Sequence, residues 1–345
     1  VADKRSEGTL AMSRWSVVPG LRAQGYERHT LHADGRIWVE KNCYVDVFIE
    51  LLHALKLEPL AAMGFCAAVD FEGDSFTFFK PPHEDLRDLF GVDVQELNVW
   101  RTLLEHGKEH LKAGKLISTE ADSFWLPDTA GTDYRRNHIK TTIIMADLDP
   151  DQRTLGYFHN AAYFELQGED FERLFRIDAA PDATFLPLFA ELVRIDRIVR
   201  RPPPELAMHA DLLLDRHVAR RPTDNPIQRF ATRFNLDLPF IQEGGLSRYH
   251  TWAFATTRQL GSSMELLSAH LNWLGGFGTS SHLDAAATEL ARLSESAKAF
   301  ILKAARAVNK RQTLEADEIF ENMAHAWERG MSALAEHVST RRAHA

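Results

Sequence analysis

Residues 138–160 read H-I-K-T-T-I-I-M-A-D-L-D-P-D-Q-R-T-L-G-Y-F-H-N. Two runs rich in β-branched and aromatic residues flank D-L-D-P-D, the pattern of a β-hairpin with a longer loop. A hairpin sets its outer ends side by side, so this reading predicts that His138 and Asn160 are neighbours. His159 is a rival for the place of Asn160. The Asp147, Asp149, Asp151 alternation has the spacing of a calcium loop. The glycine and the bidentate glutamate of such a loop are missing from their places, so it reads as a solvated turn.

Upstream, residues 115–126 (K-L-I-S-T-E-A-D-S-F-W-L) read as a further strand stopped by Pro127. Asp122 within it either supports a site or faces solvent. Residues 74–80 (D-S-F-T-F-F-K) are strand-like and closed by Pro81 and Pro82, while 94–111 read as a helix. Further back, N-C-Y-V-D-V-F-I-E-L-L-H-A-L begins at Asn42. Val45, Phe48, Ile49, Leu52 and Leu55 follow the i, i+3, i+4, i+7 spacing of one helical face. Asn42 is a good N-cap, which places Cys43 in the first helical turn.

From about residue 180 strand signals thin out, P-P-P at 202–204 and R-P-T-D-N-P at 221–226 punctuate the chain, and helical patterns dominate. Leu283, Ala287, Leu290 and Leu293, then Phe300, Ile301 and Ala304, repeat with helical period, and 313–338 opens with acidic residues that suit a helix N-terminus. The expected class is α+β: residues 1–180 as one domain with its core at 35–180, then an all-helical domain over 181–345. A chain of 345 residues with 45% hydrophobic content has material for about two such domains.

A net charge of -9 speaks against a general nucleic-acid binder, whose affinity comes from clustered Lys and Arg. Two cysteines make neither a disulfide framework nor a four-thiolate zinc site, so both are read as reduced thiols. V-A-D-K-R-S-E-G has mixed charge and no apolar run behind it, and no stretch approaches the roughly 18 apolar residues of a membrane helix. Cytoplasmic location without membrane contact is the expectation.

A thiol at a helix N-terminus sits in the positive end of the helix dipole, which favours the thiolate and makes a nucleophile. Cys66, inside M-G-F-C-A-A-V, has no such setting and reads as packing. A cysteine nucleophile needs a base, and the base an orienting group. His138 and Asn160, brought together by the hairpin, supply one of each; read alone, His138 is equally a surface strand residue among 16 histidines. His106, Glu109 and His110 make the H-x-x-E-H order of inverted zinc peptidases. Gly107 weakens that helix and no third ligand is placed, so no metal is expected.

Cysteine on a helix start with histidine and asparagine on paired strands is the papain-like arrangement. The stretch N-C-Y-V-D-V-F-I-E-L-L-H-A-L-K-L-E-P-L-A-A-M-G-F resembles the nucleophile helix of the butirosin biosynthesis protein H group of papain-like acyltransferases. G-K-L-I-S-T-E-A-D-S-F-W-L-P and H-I-K-T-T-I-I-M resemble that group's strands before and at the base. The helical half, with Trp252, Trp273, Trp327 and L-L-S-A-H-L-N-W-L, is similar to its C-terminal domain, and the whole chain resembles a bacterial family of unknown function with this layout.

The resemblance implies a papain-like core that moves an acyl or aminoacyl group from a carrier-protein phosphopantetheine thioester to an amine or amino-acid acceptor. By position Cys43 is the acylated nucleophile, His138 the base and Asn160 the orienting residue, with Asn42, Asp122 and His159 in supporting places. No permanently bound cofactor is implied; the phosphopantetheine belongs to the acyl carrier protein. Arg36, Ile37 and Trp38 occupy the region where papain-like peptidases place an oxyanion glutamine, so the oxyanion donors stay unassigned; the backbone N–H of Cys43 is one candidate. Two alternatives stay open: a cysteine peptidase or amidase on the same residues, and a non-catalytic module that binds a carrier protein or peptide.

Overall fold

A computed structural model describes residues 14–40, 42–177, 179–180, 184–278 and 280–344. The N-terminal stretch read above for a targeting signal lies outside them. The chain divides into two compact units, one of Val1–Tyr26 with Gln95–Asp196 and the other of Glu27–Val94 with Arg197–Ala345. Among the described residues no helix is long and apolar enough to cross a membrane.

The first unit is built on an antiparallel sheet. Its strands are β1 (Trp15–Ser16), β2 (Asp93–Glu96), β3 (Leu116–Asp122), β4 (Lys140–Asp149), β5 (Thr154–His159), β6 (Ala162–Gln167) and β7 (Ala190–Arg194), in the order β2-β7-β3-β4-β5-β6. β1 pairs with Asp147 and Leu148 of β4, continuing the edge that β3 occupies along residues 140–145. The predicted β4–β5 hairpin forms, but β4 begins at Lys140 and β5 ends at His159, so His138 and Asn160 both lie outside its strands. Its register shifts between Met145 and Asp147, and the carbonyl of Ala146 accepts from the Val17 N–H instead.

Ile117, Ile143, Met145, Leu155, Tyr157 and Leu166 form the core of this sheet together with Phe171 of α4 (Glu169–Leu174). The expected helix over 94–111 is a strand, a loop and a shorter helix, α3 (Leu103–Lys112), because Thr102 and Glu105 form a capping box that sets its start. Gly107 costs α3 propensity but lets it lie close on β4. A Cβ there would stand 3.0 Å from the Met145 Cε and 3.1 Å from the Leu148 Cδ2.

The second unit is helical. α1 (Cys43–Ala54) starts at the predicted cap, yet it is buried all round from Tyr44 to Leu52 instead of on one face. After it come a 3-10 helix (Pro59–Ala68), α2 (His83–Phe90), α5 (Pro203–Ala219), α6 (Pro226–Ala253, kinked at Gly245), α7 (Gln259–Gly275), α8 (Ser281–Lys310) and α9 (Asp317–His344). Leu283, Ala287, Leu290, Leu293, Phe300 and Ala304 of α8 are buried with the predicted period, while Ile301 is only partly so. Phe230, Phe234, Trp252, Phe300 and Phe320 make an aromatic cluster with centroids 4.9–6.5 Å apart.

Three expectations need correction. Residues 74–80 are not a strand: only an isolated bridge joins Phe71 and Phe76, and the Phe76 N–H donates to Ala255 instead of to a ladder. The region after 180 is not all helical, since β7 falls there and pairs with β3. Finally, the expected papain-like core at 35–180 is divided, residues 27–94 belonging to the helical unit. The reason is the 3-10 helix, whose small residues pack on α5 and α7. The His270 Nδ1–H donates to the Leu60 carbonyl at 2.7 Å, and a Cβ on Gly64 would stand 3.0 Å from the His270 Nε2.

His270 is fully buried, and burial lowers its pKa from 6.5 to about 4. Its folded form therefore stays neutral while the unfolded chain takes up a proton as pH falls below about 6.5. Stability is lost as pH drops from about 6.5 to about 4, by about 3 kcal/mol if the whole shift is realised. His29, lowered to about 4 chiefly by burial, adds with the same sign. Urea midpoints at pH 7 and pH 4.5 check this: His270→Gln should start less stable yet lose less on acidification than the parent. Equal losses would contradict it.

Candidate functional site

Asn42 fixes the start of α1 from both sides of its amide. Its side-chain oxygen accepts from the Val45 N–H at 2.8 Å, and its Nδ2 donates to the Phe79 carbonyl at 2.8 Å. Buried to 2% exposure, it makes Cys43 the first residue of the helix. Cys43 is partly exposed, whereas Cys66 is fully buried and burial pushes its thiol well above the ordinary range. Iodoacetamide at neutral pH should therefore modify Cys43 before Cys66, as mapped by peptide mass spectrometry. Modification of Cys66 first would refute the assignment of the reactive thiol.

One and two turns beyond Cys43 on α1 stand Asp46 and Glu50, both fully buried. His32 lies between them, its Nε2 3.0 Å from Asp46 Oδ1 and its Nδ1 2.5 Å from Glu50 Oε1. The His29 N–H also donates to Glu50, at 3.0 Å. Both ring nitrogens of His32 are thus engaged by buried acidic side chains one turn apart on α1. Sequence reasoning missed it, because Asp46 and Glu50 look like the solvent face of an amphipathic helix and His32 sits in the poorly patterned region before it.

In the sheet unit, His138 Nδ1 lies 2.6 Å from Asp122 Oδ2, and the ring stacks on Phe124 with centroids 4.3 Å apart. Asp122 Oδ1 accepts from the Phe124 N–H at 3.1 Å, so the carboxylate is held by the turn it caps. The His138 side chain is 67% exposed, and among the described residues its Nε2 has no hydrogen-bond partner. An imidazole oriented through Nδ1 with Nε2 open is the disposition of a proton carrier.

The structure does not bring Asn160 to His138. Asn160 turns the chain between β5 and β6 with φ +45°, and the register that pairs His159 with Ile143 puts Asn160 level with Thr142. His138 lies four residues further along, about 13 Å at strand rise. The loop and the two strand ends are of unequal length, which the hairpin reading overlooked. His159 is buried and fully engaged, with Nδ1 2.5 Å from Asp128 Oδ2 and Nε2 2.8 Å from Thr141 Oγ1. Asp128 also accepts from the Tyr157 hydroxyl, whose pKa burial pushes far up. This triad of Asp128, His159 and Thr141 ties β4 and β5 to the turn after β3.

The H-G-K-E-H stretch lies on α3 with the His106 and His110 rings parallel, 5.9 Å apart. His106 Nε2 accepts from the Trp100 N–H at 3.3 Å. Among the described residues, no group of three or more His, Cys, Asp or Glu is arranged to hold a metal ion.

The sequence model of the DUF1839 N-terminal domain matches residues 27–195, and that of the DUF1839 C-terminal domain matches residues 204–336. No curated protein matches the chain.

Proposed function

The chain belongs to the DUF1839 family, carrying both of its domains in order, and for this member we propose acyl or aminoacyl transfer from a carrier-protein phosphopantetheine thioester to an amine, on a papain-like plan. The observation that carries the proposal is Cys43, partly exposed as the first residue of a helix whose start Asn42 locks. A partly exposed thiol in that place is open to an acyl donor, whereas Cys66 is buried.

In the first step the Cys43 sulfur attacks the thioester carbonyl, the bond to the phosphopantetheine sulfur breaks, and that thiol leaves with a proton. In the second, the amine attacks the acyl-cysteine, loses its proton, and the thiol of Cys43 is restored as the amide leaves. The reading takes His138 as the group that carries these protons, and passes the orienting role from Asn160 to Asp122 on the strength of the 2.6 Å bond. Thioester to amide is downhill. The protein's task is therefore to orient the reactants and to keep water from the acyl-cysteine. Where water takes the acyl group, the same residues make a peptidase or amidase.

Acylation of Cys43 by an acyl-pantetheine thioester, followed by mass spectrometry, tests the roles. His138→Ala should slow it about 10²-fold, the low end for a lost general base. Asp122→Asn should slow it less, because it disturbs the orientation of the imidazole without removing it. Asn160→Ala should leave the rate near the parent's. If Asn160→Ala is as slow as His138→Ala while Asp122→Asn is not, the orienting role returns to Asn160. Full acylation that no amine or water discharges would favour a carrier-binding module without turnover.

A further inference from the structure

A cavity of about 360 Å³ opens in the sheet unit, its lining running from buried Leu174 and Phe175 to exposed Trp100 and Phe185. That volume falls in the range of small-molecule sites. Two arginines share this lining. The Arg101 guanidinium lies over the Trp100 ring, 4.7 Å from its centroid, and that of Arg176 over the Phe185 ring at 3.9 Å.

Neither guanidinium makes a hydrogen bond or an ion pair among the described residues, and the Arg101 Nε is buried without a partner. No carboxylate lines the cavity among those residues. The nearby Glu105 is committed elsewhere, its Oε2 accepting from the Thr102 backbone N–H at 3.0 Å and hydroxyl at 2.7 Å. Elsewhere in the protein Arg135 pairs with Asp170 and Arg341 with Asp215. A buried donor left unmatched costs free energy, and a desolvated guanidinium recovers it best from a carboxylate or phosphate. The aromatic rings under both guanidiniums hold the forks in place and present flat apolar surface beside them.

From this we infer that the cavity binds a small amphipathic anion, its acyl or aryl body against Leu174 and Phe175 and its carboxylate or phosphate head on Arg101 and Arg176. The site stands apart from the acyl-transfer reading and uses none of its residues.

Calorimetric titration of the full chain with octanoate, octyl phosphate and 1-octanol tests it. One molecule of octanoate or octyl phosphate should bind per chain at least tenfold more tightly than octanol, and whichever anion is tighter identifies the head group. Arg101→Gln and Arg176→Gln should each weaken the anion by about tenfold, the worth of a charged hydrogen bond, and leave octanol unchanged. Inorganic phosphate alone should compete poorly, since it lacks the body. Equal binding of octanol, anion affinity indifferent to both arginine variants, or no binding of either anion would each overturn the inference.

Discussion

His32→Leu should destabilise the helical unit by about 3–5 kcal/mol, the cost of breaking a buried charge group by removing one partner. The substitution removes the imidazole that bridges Asp46 and Glu50, both 0% exposed. Two buried acidic side chains on neighbouring turns of α1 would then lose the ring that joins them. Since a domain's whole stability is of order 5–15 kcal/mol, the loss would show as a large drop in the urea midpoint. The triple variant His32→Leu, Asp46→Leu, Glu50→Leu separates charge from shape. It should recover much of the loss, though not all, because the His29 N–H loses its acceptor on Glu50. A His32→Leu protein within 1 kcal/mol of the parent would mean that the cluster does not bear on the stability of α1.

Cys43→Ala should abolish amide formation and acyl-enzyme formation together while leaving the fold intact. The cysteine is partly exposed and small, so alanine opens no sizeable cavity, and Asn42 still caps the helix. Cys66→Ala is the matched control: it removes the other thiol of the chain, which lies fully buried, and should keep turnover at some cost in stability. Circular dichroism and urea midpoints of both variants tell loss of chemistry from loss of fold. Amide formation by Cys43→Ala at the parental rate would contradict the nucleophile's role.

What could be read from the chain follows from how local each signal is. The start of α1 was legible because an N-cap and its first turn are settled within three residues, and the β4–β5 hairpin because its two strands are adjacent in sequence. β7 was hidden because its partner β3 lies some 70 residues upstream, so no local pattern announces the pairing. The same distance explains the division of the chain: the 3-10 helix at 59–68 takes its partners from α5 and α7, more than a hundred residues on. For His138, the partner is not the one that the hairpin implies. Hairpin logic counts residues along two strands, whereas Asp122 reaches His138 across the adjacent ends of β3 and β4, with Asp122 opposite Lys140 in the register. The residues around His32 escaped because burial of a charge is a tertiary fact; an i, i+3, i+7 pattern cannot distinguish Asp46 facing water from Asp46 facing an imidazole.

Central to the proposed transfer is Cys43 as the residue that accepts an acyl group from a carrier. Intact-mass spectrometry of the protein mixed with an acyl carrier protein charged as its phosphopantetheine thioester, followed by peptide mapping, addresses it directly. The predicted result is one acyl group per chain, located on Cys43, absent from Cys43→Ala, and discharged when an amine acceptor is added. No mass gain with any charged carrier, or an acyl group mapped elsewhere and retained by Cys43→Ala, would contradict it.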